Sequence, residues 1–372
     1  MGNNLSSSAS SFKTNGYRPV FYNMALPAQA DTVLKLAQNP ETNIYNTIKK
    51  QIEELIRIQN PGAGFSQEEM EQRTAAHLNG VNADDYGVWV YYPWNKNLVH
   101  LLDRDEFIKI RTNRNIYKIS PPEIELLQTK KVAIIGLSVG QSIAQTIAME
   151  RICGEMRLAD FDSLELGNLN RLNAGVQDLG LPKVVIAARK IAEIDPYIAV
   201  KCWSDGINEN NIDEFLSADG KADVLIEECD GIDIKILSRV KARGLGIPVI
   251  MDTNDMGMLD VERFDLEEGR SIFHDRLPEI ENLPVAQLME QLQNLTIEQK
   301  IGYLSKIIGL ENISDEMQVS LSQMNKTITG WPQLASAVIL GAAMVTDTCR
   351  RILLNKFNKS GRYFIDFQKL IC

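Results

Sequence analysis

Short apolar runs alternate with amphipathic stretches between Lys131 and Thr253. "KVAIIG" reads as a buried strand, followed by a helix through Glu150, and "MRLAD" as the next strand. A helix from Lys183 to Ile194 precedes "IAVKCW", one from Asn211 to Leu216 precedes "DVLIEECD", and one from Asp233 to Arg243 precedes "PVIMD". β-branched runs separated by helices predict parallel strands joined by right-handed crossovers, an α/β doubly wound, mostly parallel sheet. Ligands of such sheets sit at the carboxyl ends of the strands. The segments after "IIG", "LAD", "EECD" and "IMD" are therefore expected to meet at one crevice.

The flanks have a different texture. "GMLDVERFD" reads as an added strand, and a helical stretch follows from Pro284 to about Lys326, with Thr296 and Gln299 as a capping box. Trp331 and Pro332 introduce an apolar helix to Leu354, and "RYFIDF" closes as a strand. Before the sheet, Ile44, Ile48, Ile52, Leu55 and Ile56 recur at helical spacing and predict a helix over Asn43–Ile58. Ser66 with Glu69 caps a second helix, Gln67 to Leu78, ahead of two strands, "GVWVYYPW" and "NLVHLLD". Residues 17–110 thus form an N-terminal α+β accessory region. Residues 1–16 are Ser/Asn-rich and expected to be disordered. "MGNNLS" fits the N-myristoylation pattern through Gly2 and Ser6, although a plain polar N-terminus is the preferred reading.

Composition narrows the classes. The 372 residues are 44% hydrophobic, enough for a real core, and carry a formal charge of −10. No Lys/Arg run offsets that charge, which argues against extended nucleic-acid binding. The longest apolar run, Leu334 to Val345, falls short of the roughly 20 residues a membrane helix needs. Cys153, Cys202, Cys229, Cys349 and Cys372 contain no CxxC pair, so no zinc site is expected and the thiols read as those of a reduced cytoplasmic protein. His77, His100 and His274 are too dispersed for a metal cluster.

Chemistry enters at the strand ends. "GLSVGQS", Gly136 to Ser142, follows the first sheet strand and opens a helix, so Gly136, Ser138 and Gly140 are candidates for a phosphate approach. Ser138 stands where a GxGxxG loop would have its second glycine, so the loop could equally be a structural turn. Asp160 closes the next strand where dinucleotide folds keep a ribose-binding carboxylate. That position alone suits a nicotinamide cofactor or ATP. Arg171, 11 residues beyond it, has no role in a ribose contact and suits ATP better, because activation needs cations at phosphates and a carboxylate for Mg²⁺.

"DFDSLELGNLNR", then "GLPK" at Gly180–Lys183, then "EECD" ending at Asp230, resembles the ThiF/MoeB family of adenylyltransferases related to ubiquitin-activating enzymes. The resemblance runs from about Arg111 to Met258. It implies a Rossmann-like adenylation domain over 111–372, with the helical insert at about 284–326. It further implies that Asp160 holds the ATP ribose, with Asp162 beside it, and that Asn168 and Arg171 reach the phosphates. Lys183 would steady the transition state and Asp230 would ligate Mg²⁺. "RTNR" resembles the family's paired arginines, which makes Arg114 a candidate to reach the nucleotide of the other protomer in a homodimer.

The implied reaction is ATP-dependent activation of a carboxylate as acyl-AMP. The carboxylate could belong to a ubiquitin-like carrier, a peptide C-terminus or a small molecule; a modified tRNA adenosine, another family substrate, is least favoured by the charge. Three departures stand out. The glycine loop carries Ser138 and Val139, the zinc-binding CxxC pairs common in the family are missing, and no cysteine lies between Cys229 and Cys349 to form a thioester. Cys229 and Cys349 are both expected in the core. Two other readings compete: an inactive scaffold or regulatory subunit of this fold, and a NAD-dependent oxidoreductase, which leaves Arg171, Lys183 and Asp230 without a role.

Overall fold

The structure, a computed structural model, describes residues 16–371. Gly2, Ser6 and Cys372 therefore lie outside the described residues. The chain forms two compact units, divided after Lys118.

The first unit contains β1 (Val20–Tyr22), α1 (Pro27–Gln38), β2 (Asn43–Asn46), α2 (Ile48–Gln59) and α3 (Gln67–Leu78). β3 (Val88–Tyr92), β4 (Asn97–Leu101) and α4 (Arg104–Thr112) complete it. Its sheet runs in the order β1-β3-β4-β2. The capping box opening α3 is formed as expected, with Ser66 and Glu69 bonding each other's backbone N–H. The helix expected over Asn43–Ile58 is only partly there. Its first four residues are instead the edge strand β2, which pairs in parallel with β4 and is exposed at every position. Ile44 matches the spacing of Ile48, Ile52 and Ile56, yet only the last three are buried. Backbone pairing with β4 decides the conformation there, not the apolar stripe. His100 is fully buried, stacked on Trp89 at 4.3 Å and bonded through Nε2 to the Tyr86 carbonyl. Burial holds it below its ordinary pKa, so it is a core residue.

The second unit opens with α5 (Pro121–Leu127) and continues through β5 (Lys131–Ile135), α6 (Gly140–Glu150), β6 (Glu155–Ala159), α7 (Lys183–Ile194) and β7 (Ala199–Trp203). Next come α8 (Ile212–Ser217), β8 (Val224–Glu227), α9 (Ile232–Leu245), β9 (Val249–Thr253) and β10 (Met258–Glu262). The segment expected to be helical divides into α10 (Val285–Gln293), α11 (Ile297–Ile308) and α12 (Asp315–Gln323). The apolar helix is α13 (Ala335–Leu353), followed by β11 (Gly361–Phe364) and the short α14 (Phe367–Leu370). The sheet order is β11-β10-β9-β8-β5-β6-β7. Strands β5 to β9 are mutually parallel, whereas β10 runs antiparallel to both β9 and β11. This is the mostly parallel, doubly wound α/β sheet expected from the apolar runs. Its central strands are buried from Val132 to Ile135 in β5 and throughout β8, which is why they read as apolar runs.

Chain order reverses between β5 and β8, so a crevice opens there, beyond the carboxyl ends of the strands. A charged layer braces the region behind it. Arg239 is fully buried between Glu227 and Glu262, with its guanidinium 4.1 Å from the Phe273 ring centroid. Lys235 donates to both Glu227 carboxylate oxygens at 2.9 Å. Pairing holds the Glu227 carboxyl down at about 2, although burial acts the other way. Among the described residues, no helix is long and apolar enough to cross a membrane.

Candidate active site

The loop after β5 passes so close to β8 that residue 136 must be glycine. A Cβ there would lie 2.6 Å from the Glu228 carbonyl, and the backbone has φ +86°. Gly140, at the first position of α6, is equally confined, since its Cβ would meet the Ile134 side chain at 2.8 Å. Both glycines therefore serve the packing of the turn. No side chain caps the start of α6, so its first N–H groups are not taken by a capping residue.

Asp160, just past β6, braces this loop. Its carboxylate accepts from the Leu137 N–H at 2.7 Å and from its neighbour Asp162 N–H at 2.8 Å. Burial pushes its pKa above the ordinary value, against both N–H donors and the Lys183 charge. Lys183, the first residue of α7, is only 4% exposed. Its Nζ donates to Asp162 Oδ2 at 2.8 Å and to Ser138 Oγ at 3.0 Å. Ser138, the departure from a glycine-rich loop, thus holds the lysine against that loop.

Arg171 follows a 3-10 turn, Leu166–Asn170, and donates through Nη1 to Asn170 at 2.9 Å. Burial lowers its pKa, against the opposing effect of the Asp230 charge. Asn168 Oδ1 accepts the Glu165 N–H at 3.0 Å and shapes the turn. Asp230 is exposed just beyond β8. Asp162 and Lys183 are thus hydrogen-bonded to Asp160 and Ser138 at the loop that carries Gly136 and Gly140, while Asp230 lines the adjoining crevice. Arg114 belongs to the first unit, exposed on the 3-10 turn Asn113–Asn115.

Beyond this loop lies a cavity of about 240 Å³. Ser138, Glu228, Asp230 and Asp252 from the sheet's strand ends line it, together with Leu304 of α11, Met317 of α12 and Trp331 from the loop before α13. Asp255 ties the wall in place by accepting from the N–H and Oγ of Ser314, the cap of α12. Asn170 donates to the Gln333 carbonyl at 2.7 Å, linking the arginine's turn to the same wall. Three of the four strand-end segments expected to converge line this cavity, and the fourth joins through Asp160.

Some of these residues were not singled out from sequence. Asn170 lies inside the quoted signature but its link to Gln333 spans most of the unit. Glu228 and Asp252 sit in "EECD" and "IMD" with no local sign that the helical segment would cover them. Cys229 lies just past the end of β8, half-buried, packed against the core as expected and also lining the cavity. Burial and the neighbouring Glu227 push its thiol well above the ordinary value, which disfavours a nucleophilic thiolate. Cys349 is fully buried, as expected.

Comparison with known proteins places the chain. The model of the ThiF family matches residues 111–350, and the chain belongs to that family. It is 44% identical over 278 residues to "Uncharacterized protein MT1398" of Mycobacterium tuberculosis (strain CDC 1551 / Oshkosh), covering 75% of this chain and 38% of that protein. It is 23% identical over 248 residues to the tRNA threonylcarbamoyladenosine dehydratase of Bacillus subtilis (strain 168), covering 66% of this chain and 96% of that protein. The chain thus spans under half the length of the mycobacterial relative. The crystal structure of PaaA has the same fold, with a TM-score of 0.50 and 21% identity over 72% of this chain and 82% of that one.

Proposed function

We propose that the protein is an adenylyltransferase that activates a carboxylate with ATP. The observation that carries this reading is the convergence of Lys183, Ser138 and Asp162 on a loop held by Asp160, with Asp230 lining the same crevice and Arg171 on the turn that Asn170 ties to its wall. A nicotinamide site would use Asp160 but would leave this set of cations without work.

In the reaction, an oxygen of the acid attacks the α-phosphorus of ATP. The new acyl–phosphate bond forms as the bond to the β-phosphate oxygen breaks, and pyrophosphate leaves. No protein nucleophile is required, which agrees with the raised thiol of Cys229. Asp160 would receive the ribose hydroxyls, and Asp162 would keep Lys183 aimed along the loop. Lys183 and Arg171 would meet the charge that builds on the phosphates, where preorganised donors act most strongly. Asn168 would hold the turn that carries Arg171.

Among the described residues, no group of three or more carboxylate, His or Cys side chains could hold a metal ion. Mg²⁺ is commonly held by one or two carboxylates plus substrate phosphates, and the exposed Asp230 beside a phosphate-directed arginine fits that pattern. Bound there, the ion would neutralise charge on the triphosphate. We further propose a cytoplasmic homodimer in which Arg114 reaches the partner's nucleotide. The acid would be a peptide or carrier C-terminus or a small molecule; the dehydratase relative keeps a tRNA adenosine in view, although the net charge disfavours it.

The test is calorimetric titration of ATP with Mg²⁺ beside NAD⁺, on wild type and Asp230→Ala. Tight ATP binding that weakens in the variant supports the reading. Preference for NAD⁺ would overturn it, and binding of neither would favour an inactive scaffold.

A further inference from the structure

Ser138 and Asp230, which stand beside the phosphates in the adenylation reading, also line the cavity of about 240 Å³. The group attached to the attacking carboxylate therefore falls within that same space, and its wall is mostly hydrocarbon. Leu304 and Ile308 of α11 belong to the wall and pack on the core of the second unit, so that part is fixed. Ile301, Met317, Leu321 and Trp331 also line it, and protein does not seal them from water. Met317 and Leu321 are half-buried, Ile301 is 53% exposed and Trp331 36%. α12, which carries Met317 and Leu321, has no buried residue and is tied to the strand ends by the two bonds from Ser314 to Asp255. Apolar side chains thus surround a void while still touching water, and a ligand that covers them gains in proportion to the area it dries.

Charge narrows the ligand further. Among the described residues, Lys235 is the only Lys, Arg or His in the lining, and its ammonium is spent on both oxygens of Glu227 and on Met251 Sδ. A second carboxylate or a phosphate on the ligand would find no free cation there, and burying such a charge unpaired is costly. A polar peptide tail fares little better, since its amide groups would trade water for hydrocarbon. Size sets the last bound. An apolar cavity of about 150 Å³ takes benzene, so the space here suits a ring or a branched chain somewhat larger than that.

We infer that the acid activated here is a small monocarboxylic acid whose body is uncharged hydrocarbon, seated against α11, α12 and Trp331. This rests on the adenylation reading, because it assigns the body of a molecule whose carboxylate meets ATP beside Asp230. Met317 and Leu321 are then specificity residues. They sit on a helix outside the core, where a change of side chain alters the seat and spares the sheet that holds the nucleotide.

Adenylate analogues of graded chain test the assignment. The probes are acetyl, butyryl and hexanoyl sulfamoyl-adenosines, with succinyl and N-acetylglycylglycyl sulfamoyl-adenosines as the charged and peptide-like members. Calorimetry on the full chain should show affinity rising about fourfold for each added methylene, the gain expected when a CH₂ group is buried. The succinyl analogue should bind more weakly than the butyryl one. In Met317→Gln combined with Leu321→Gln the rise along the series should shrink. The wild-type series decides the matter even if that variant does not fold. A flat series from acetyl to hexanoyl overturns the inference. So does a succinyl analogue that binds as tightly as hexanoyl, and an N-acetylglycylglycyl analogue that binds more tightly would replace the small acid with a peptide tail. AMP alone separates the two readings: AMP bound beside a flat series sinks only this inference, whereas no AMP or analogue binding sinks the adenylation reading with it.

Discussion

Lys183 Nζ donates to Ser138 Oγ across 3.0 Å, joining the first residue of α7 to the loop after β5. The serine that departs from a glycine-rich loop therefore positions the cation that such a loop would place beside phosphate. Lys183→Met should weaken ATP binding by about 10- to 100-fold, because a charged hydrogen bond is lost. Its partner Asp162 is half exposed and can turn to water, so the fold should persist. Ser138→Gly leaves the ammonium in place without one tether, and the loss should stay at about tenfold or less. Calorimetric titration with ATP and Mg²⁺ checks both. An unchanged affinity in Lys183→Met would reduce the lysine to a structural role.

Gly136 is fixed by space and by backbone conformation together. Gly136→Ala puts a methyl 2.6 Å from the Glu228 carbonyl at φ +86°, so a strained backbone is added to a clash with another backbone. The expected cost is about 1–3 kcal/mol or more, or several degrees in Tm for a unit of this size. Gly167→Ala is the control, since a Cβ there meets nothing within 4 Å. Differential scanning calorimetry on the two variants should separate them clearly; equal Tm values would mean the loop yields without strain.

These two cases mark how far the sequence could be read. Strands β5, β8 and β9 were legible because burial on both faces gives contiguous apolar runs, and β6 because only Arg157 interrupts its own. The capping boxes at Ser66 and Thr296 were legible because they involve residues three apart. β1 and β2 were not, since they are short, largely exposed, and held by the backbone of neighbouring strands. The same divide runs through the site. Asp160, Arg171, Lys183 and Asp230 stand in an ordered signature, whereas the bond from Lys183 to Ser138 spans 45 positions. The burial of Asp252 depends on α13 and the helical segment folding over it, and nothing near residue 252 in the chain announces that.

Arg239 should prove among the least replaceable residues of the second unit. Arg239→Met removes the partner that Glu227 and Glu262 share in full burial. Lys235 still serves Glu227, whereas Glu262 keeps the Phe273 N–H but loses its cation. Breaking one side of a buried ion network costs about 3–5 kcal/mol. Urea unfolding should show that loss, and adding Glu262→Gln should recover part of it. A double variant no better than the single would mean that packing on Phe273, rather than charge, explains the arginine.

The carboxyl pair in the cavity gives a pH dependence of definite sign. Burial pushes Asp252 up to about 7, and Glu228 is raised well above its ordinary value by burial and by the Asp252 charge. The unfolded chain releases the Asp252 proton near pH 4. Between about pH 4 and 7 the folded state thus holds a proton that the unfolded state has lost, so stability falls as the pH rises through that window. Below it both states are protonated, and above it both are ionised with the full burial penalty in place. Asp252→Asn has no proton to lose and relieves Glu228 of a neighbouring charge. Relative to wild type, the variant should gain stability from pH 5 to about 7 and level off above it, read as a gap in urea midpoints that widens and then flattens. A gap that stays constant across that range would show that Asp252 titrates as an ordinary carboxylate.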